Sequence, residues 1–162
     1  MVFARIHTPI GPLLLGGDAR GLSRLSFDQA DEGTALAEAS PDRDGLLRLA
    51  IAELTAYFSG ELRQFTIPVL MAGTPFQQRV WTALQGIPYG TTTSYGTLAA
   101  QIGSPGAMRA VGMANGANPV AIVVPCHRVI GADGSLTGFG GGLPIKRALL
   151  DLEQGRRPLG YV

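Results

Sequence analysis

The sequence predicts an α/β N-terminal half, antiparallel strands plus a helix, followed by a mostly α-helical C-terminal half containing a helix-turn-helix. Three observations lead there. Residues 2–27 hold three short apolar runs separated by clusters of turn formers, the pattern of an antiparallel meander. Residues 45–59 and 74–86 repeat apolar side chains at helical spacing. Residues 94–116 hold two helical stretches, each opened by a capping serine and joined by a very short turn. The boundary is placed after residue 72, with 1–72 as a supporting unit and 73–162 carrying the chemistry.

In the first half, strands are expected at residues 2–7, 12–16 and 22–27. Thr8-Pro9-Ile10-Gly11-Pro12 and Gly16-Gly17-Asp18-Ala19-Arg20-Gly21 supply the breaks. His7 sits beside the first turn and reads as a surface residue. Residues 28–44 are acidic and aperiodic, so an exposed connection is expected. A helix then runs from Gly45 to Ser59 with Leu46, Leu49, Ala50, Leu54, Tyr57 and Phe58 on one face. Phe65–Val69 reads as a further strand, with Pro68 at an edge position.

In the second half, Thr74-Pro75-Phe76-Gln77 has the capping-box residues at its ends and proline at the first helical position. The helix it starts carries Phe76, Val80, Trp81 and Leu84 as core and stops at Gly86. The first helix of the pair is capped by Ser94 and covers Tyr95 to Ile102. Ser104-Pro105 is expected to cap and begin the second, which runs from Gly106 to Asn115. That second helix is smooth: Ala107, Ala110, Gly112 and Ala114 offer little side chain, and Arg109 is its only charge. Major-groove reading wants longer polar side chains, so the surface suits close approach to a shallow or narrow groove. It would equally suit packing between the two helices, with Arg109 solvated.

Residues 118–130 are the centre of the chain's chemistry. Asn118-Pro119-Val120-Ala121-Ile122-Val123-Val124 reads as a fully buried strand that ends at Pro125. The only cysteine, Cys126, follows, with His127 and Arg128 next to it. A strand that delivers Cys-His to its own end can place a nucleophile. The same pair also occurs as a buried thiol and a satisfied core imidazole. On extended backbone the two side chains point apart, so a water bridge between them is expected in place of a direct bond. Residues 131–142 include six glycines, which make an adaptable loop whose backbone can approach a ligand. No Lys-Ser/Thr follows, which argues against a nucleotide-triphosphate site. The last helix is expected from Pro144 to Gln154, with Ile145, Ala148, Leu149 and Leu152 buried. Glu153 flanks that stripe, placed either to turn inward toward a histidine or to stay at the surface.

Bulk properties narrow the class. No apolar run is long enough to cross a bilayer, and no signal peptide is read at the start. A single cysteine excludes an internal disulfide and a zinc site built on paired cysteines. A free thiol suits the reducing cytoplasm. Residues 1–72 carry six arginines against nine acids, a balance of −3, and residues 73–162 carry seven cations against three acids, a balance of +4. The basic second half points weakly toward a polyanion. Lys146 is the sole lysine, an arginine bias read as that of a GC-rich bacterial genome.

Pro125-Cys126-His127-Arg128-Val129 resembles the acceptor-cysteine motif of the O6-alkylguanine-DNA alkyltransferases, and linked pieces match in order from about residue 74 to 155. The resemblance implies a ribonuclease-H-like N-terminal domain. It implies irreversible, single-turnover transfer of an alkyl group from O6-alkylguanine, with O4-alkylthymine a second candidate, onto Cys126. It implies a Glu153–His127–water–Cys126 relay, with Asn118 bracing the helix-turn-helix against the cysteine turn. Tyr95 would donate to guanine N3 and the Gly140 N–H to O6, while the Cys126 and Val129 carbonyls hold the exocyclic amine. Phe139, where the family usually has tyrosine, would pack on the alkyl group. Ser104, Ala107, Arg109 and Ala110 would meet the minor groove of duplex DNA, Arg109 filling the gap left by a flipped nucleotide. No cofactor and no metal are implied; the partner is double-stranded DNA, bound by a monomer in the bacterial cytosol, with clustering along DNA left open.

Three rivals stand beside this reading. Alkyltransferase-like binding proteins lack the cysteine present here at 126. A Cys-His hydrolase would leave the helix-turn-helix unexplained, and a plain helix-turn-helix regulator would not need Cys126.

Overall fold

The computed structural model describes residues 1–27 and 45–156. The connection expected at 28–44, and the tail after Arg156, lie outside the described residues. Three antiparallel strands, β1 (Val2–Thr8), β2 (Gly11–Asp18) and β3 (Gly21–Phe27), form a meander in the order β1-β2-β3. The turns fall where the Pro/Gly clusters predict. Thr8 pairs with Gly11 across the first and Asp18 with Gly21 across the second. Leu13 and Leu15 alternate inward along β2 and are fully buried with Leu22 and Leu25 of β3.

Helix α1 (Leu46–Phe58) covers this sheet. It packs tightly over Gly17, where a side chain would collide with Leu46 and with the Gly21 carbonyl. Leu46, Ala50, Leu54, Tyr57 and Phe58 are buried as the spacing predicts, but Leu49 is 41 % exposed and Leu47 takes its place inside. His7 is exposed.

The strand predicted at Phe65–Val69 does not form. The segment makes one parallel bridge, Leu22 to Val69, because its donors are already committed. Buried Glu53 on α1 accepts from the backbone N–H groups of Thr66 and Ile67 at 2.8–3.0 Å, and Pro68 has no N–H to offer.

Helix α2 (Pro75–Gln85) starts with the predicted capping box: Gln77 N–H donates to the Thr74 hydroxyl, and Thr74 N–H to the Gln77 side chain. Trp81 is core, and its Nε1 donates to the Ala114 carbonyl at 2.9 Å. Helix α3 (Tyr95–Gln101) has the expected Ser94 cap. Helix α4 (Met108–Gly116) starts two residues later than predicted, and Ser104 does not cap it. Ser104-Pro105-Gly106-Ala107 instead closes a turn through Ala107 N–H to the Ser104 carbonyl, the use that Pro and Gly favour in a turn's centre.

The largest departure is at residues 118–124. The run is buried but is not a strand; only single bridges form, Leu25 to Val120 and Ala121 to Val124. The chain folds back on itself at Ile122, with Val123 N–H bonded to the Ala121 carbonyl and Val124 N–H to the Val120 carbonyl. Ile122 has φ 71°, a conformation costing on the order of 1–3 kcal/mol for a β-branched residue. Complete burial of its side chain contributes about 1.5–3 kcal/mol and offsets that strain. β-Propensity here expresses burial, and the backbone is decided by its neighbours.

The chain then makes a 3₁₀ turn (Cys126–Arg128) and a two-residue strand, β5 (Val129–Ile130), which pairs in parallel with β4 (Thr93–Ser94). Helix α5 (Leu143–Glu153) closes the described chain. Its buried stripe is Lys146, Leu149, Leu150 and Glu153, rotated from the predicted stripe so that both ends are charged.

Candidate functional site

Cys126 is held by consecutive tight turns, where a strand end was expected. Pro125 has φ −82° and ψ 65°, and Cys126 N–H bonds across it to the Val124 carbonyl at 2.8 Å, an inverse γ-turn. Asn118 ties the loop shut: its Nδ2 donates to the Val124 carbonyl at 2.8 Å and its Oδ1 accepts from Val120 N–H at 3.0 Å. The side chain thus does the work of a missing neighbouring strand.

Cys126 lines a cavity of about 230 Å³. Leu25, Ser26 and Phe27 of β3 form one wall, Asn115, Gly116, Asn118 and Ala121 another, and Gly138, Phe139 and Gly140 of the glycine-rich loop a third. Phe139 meets Phe27 edge to face at 5.2 Å. The loop comes this close because residue 141 is glycine; a Cβ there would sit 2.9 Å from the Phe27 ring. Of the predicted site residues, Cys126, Asn118, Phe139 and Gly140 share this cavity. Tyr95 stands outside its lining, at the start of α3, with its hydroxyl accepting from Thr137 at 3.0 Å. Val129 is fully buried, and its carbonyl accepts from Lys146 Nζ at 2.6 Å.

Behind the cysteine lies a buried polar cluster. His127 Nε2 is 2.7 Å from Glu153 Oε2. Arg128 donates through Nε to Glu153 Oε1 at 2.7 Å and through Nη2 to Oε2 at 3.0 Å. Tyr57, from α1, donates to Glu153 Oε2 at 2.6 Å. Glu153 therefore faces inward, resolving the two orientations the sequence left open. Burial alone would raise its carboxyl, but the hydrogen bonds and charges of His127 and Arg128 hold it at about 2.

That ionised carboxylate can only accept, so neutral His127 must carry its proton on Nε2. Nδ1 is left as the lone-pair nitrogen, and it is buried without a partner among the described residues. Burial lowers the imidazole's pKa despite Glu153, keeping the ring neutral and able to take a proton. Burial likewise raises the Cys126 thiol, against a smaller opposing influence from Asn118 and Lys146. The resting sulfur is a thiol, and a base must activate it.

Four contributors escaped the sequence reading. Tyr57 appeared only as core, and Arg128 as part of a motif without a role. Lys146 was noted only as the sole lysine, yet it is fully buried and joins the Val129 and Thr137 carbonyls. Asn115 read as a helix end, but its Nδ2 donates to the Cys126 carbonyl at 3.3 Å. A lone lysine in a chain whose other cations are all arginine was the one local signal available.

On the outer side, Arg109 and Ala110 of α4 are exposed, and Ala107 and Ser104 are partly so. Met108 and Met113 also stand out, 54 % and 73 % exposed, making this face less smooth than the alanines and glycines predict. Among the described residues, no helix is long and apolar enough to cross a membrane.

Comparison with known proteins agrees with this architecture. Residues 1–71 match the family model of the 6-O-methylguanine DNA methyltransferase ribonuclease-like domain, and residues 75–155 match that of the DNA-binding domain. The methylated-DNA–protein-cysteine methyltransferase of Mycobacterium tuberculosis is 53 % identical over 96 % of this chain and 94 % of its own. That of Methanosarcina acetivorans is 48 % identical over 94 % and 98 %. Among solved structures, M. tuberculosis OGT in complex with DNA superposes with a TM-score of 0.85 at 54 % identity, covering 96 % of this chain and 94 % of that one. The O6-methylguanine DNA methyltransferase of Methanococcus jannaschii gives 0.69 at 28 % identity, with 93 % of both chains covered. By sequence and by fold, the chain belongs to the 6-O-methylguanine DNA methyltransferase family.

Proposed function

We propose that this chain repairs O6-alkylguanine in DNA by moving the alkyl group onto Cys126, restoring guanine without cutting the strand. The observation that carries the reading is the cluster just described: a buried thiol lining a cavity, beside an imidazole whose far nitrogen is bonded to an ionised glutamate. His127 Nδ1 takes the thiol proton through a bridging water, with Glu153 stabilising the imidazolium. The thiolate attacks the alkyl carbon; an S–C bond forms as the C–O6 bond breaks, and the electron pair leaves on guanine. Tyr95, near the Thr137 side of the loop, and the Gly140 N–H donate hydrogen bonds to the departing base.

A thioether has no easy leaving route, and the chain has no second thiol to resolve it. Each molecule therefore acts once, and needs neither cofactor nor metal. The thiol is buried, so the target base must leave the duplex, at a cost of a few kcal/mol. Arg109 on the exposed face of α4 fills the vacated stack, and Ala107, Ala110 and Ser104 border the minor groove. Residues 1–72 support the working unit, 73–162, and contribute Tyr57 to it. The protein acts as a monomer in the cytosol.

The direct test is intact-mass spectrometry after incubation with an oligonucleotide containing O6-methylguanine. One methyl group should appear per protein, on the peptide containing Cys126. Modification elsewhere, or product beyond an equimolar yield, overturns the assignment.

A further inference from the structure

The half of the chain read as a support supplies one wall of the acceptor cavity. Leu25, Ser26 and Phe27 close β3 and line the cavity with Cys126. Phe27 is the last residue of that strand and pairs with Leu13 of β2. Two residues before it, Leu25 is tied to the cysteine loop through both backbone groups. Its N–H donates to the Pro119 carbonyl at 2.9 Å, and its carbonyl accepts from the Ala121 N–H at 3.0 Å. The end of β3 is thereby stitched to the loop that presents Cys126, and Phe27 stands in the wall on a regular, hydrogen-bonded element.

The glycine-rich loop rests on that ring. Phe139 meets Phe27 with centroids 5.2 Å apart, in the edge-to-face arrangement that aromatic pairs favour. Residue 141 lies so close that a Cβ there would be 2.9 Å from the same ring. Lys146 holds the loop at the Thr137 carbonyl, and the Gly142 N–H closes the tip on itself through the Phe139 carbonyl. Neither bond sets how far the tip stands from β3. Glycines flank Phe139 on both sides and leave that backbone adaptable, so the contact with Phe27 sets the spacing.

We propose that Phe27 determines which alkyl groups reach Cys126: its ring spaces the loop tip from the cysteine turn and so limits the bulk that fits against the sulfur. The proposal rests on the alkyl-transfer reading. During transfer the alkyl carbon lies at Sγ, so the rest of the alkyl group shares a cavity of about 230 Å³ with the base. A small group leaves the walls as they stand. A bulky one has to push the loop off Phe27 and give up the aromatic contact, the penalty of overfilling a packed site. One methylene too many in an apolar pocket is worth roughly tenfold or more in discrimination. A smaller side chain at 27 lifts this limit, and a larger one tightens it.

The test measures single-turnover rates on two duplexes that differ only in carrying O6-methylguanine or O6-benzylguanine at the target position. Phe27→Ala should raise the benzyl-to-methyl rate ratio about tenfold or more over the wild-type chain. Phe27→Leu should raise it less, and Phe27→Trp should lower it. A loss of fold or of DNA affinity slows both substrates alike and does not move the ratio. An unchanged ratio in the alanine and tryptophan variants therefore overturns the proposal, and so does a ratio that falls in Phe27→Ala. Should Phe27→Ala react with neither duplex, the leucine and tryptophan variants decide by the same ratio. Absence of any adduct on Cys126 of the wild-type chain with O6-methylguanine would sink the transfer reading itself, and this proposal with it.

Discussion

Replacing Tyr57 with phenylalanine removes one oxygen and leaves the ring in place. The ring keeps its contacts with Phe58, Phe65 and Tyr89 at centroid distances of 5.3, 5.4 and 6.3 Å. What is lost is a single 2.6 Å hydrogen bond to Glu153 Oε2. Bonds to charged groups contribute about 1.5–3 kcal/mol. Glu153 keeps two bonds from Arg128 and one to His127, so the lower end applies. For a chain of this size about 1.5 kcal/mol corresponds to a fall in melting temperature of about 3–6 °C.

The kinetic effect has a definite sign. Tyr57 and His127 share Oε2, so each weakens the other's hold on that oxygen. Without Tyr57 the carboxylate attracts the imidazolium more strongly, and the depressed pKa of His127 rises. The acid limb of the single-turnover rate, followed by rapid quench from pH 5 to 9, should move to higher pH. Arg128 and Lys146, the other charges acting on this ring, are untouched by the substitution. A lower melting temperature with an unmoved pH profile would make Tyr57 a packing residue only. An unchanged melting temperature would show that the hydrogen bond contributes nothing.

Cys126→Ala should abolish alkyl uptake in the mass assay while DNA affinity, measured by fluorescence anisotropy, stays within about twofold, since the thiol behaves as a small buried group; retained uptake would remove the nucleophile assignment. Arg109→Ala should slow repair of duplex about tenfold or more but leave reaction with free O6-benzylguanine nearly unchanged, and equal losses would count against filling of the stack. Stability measured by urea unfolding should fall in acid in two stages. The native pKa of His127 lies below its ordinary 6.5, so its contribution is full above that pH and is lost as pH drops through the lowered value. Glu153 follows, from its ordinary 4.5 toward about 2, a loss of about 3 kcal/mol. Glu153→Gln should erase the second stage and cost about 3–5 kcal/mol at neutral pH by stranding buried Arg128; a second stage that persists would assign it elsewhere.

Much of the architecture is written in short stretches of chain. Pro9, Gly11 and the Gly16–Gly21 cluster break the meander where the strands turn. Thr74-Pro75-Phe76-Gln77 starts α2 and Ser94 starts α3, because capping is satisfied within a few residues. Cys126 and His127 were found as a pair for the same reason: adjacency in sequence is adjacency in space.

Tertiary structure decided the rest, and the physical reason is desolvation. The sequence by itself determined where the meander turns and where α2 and α3 begin, which residue is the lone thiol, and which family motif surrounds it. It did not determine that Asn118–Val124 would bend at Ile122, because that depends on the Asn118 amide and a single bridge to β3 serving as partners. Nor did it show that α5 turns Lys146 and Glu153 inward. An apolar stripe is predicted from its own hydrophobicity, but a charge enters the core only where distant partners satisfy it. Here the partners are Tyr57, ninety-six residues from Glu153, Arg128, twenty-five residues away, and two backbone carbonyls for Lys146. They meet only after α1, the 3₁₀ turn and α5 have packed together, and that meeting is what sets a buried, carboxylate-bonded imidazole behind the thiol.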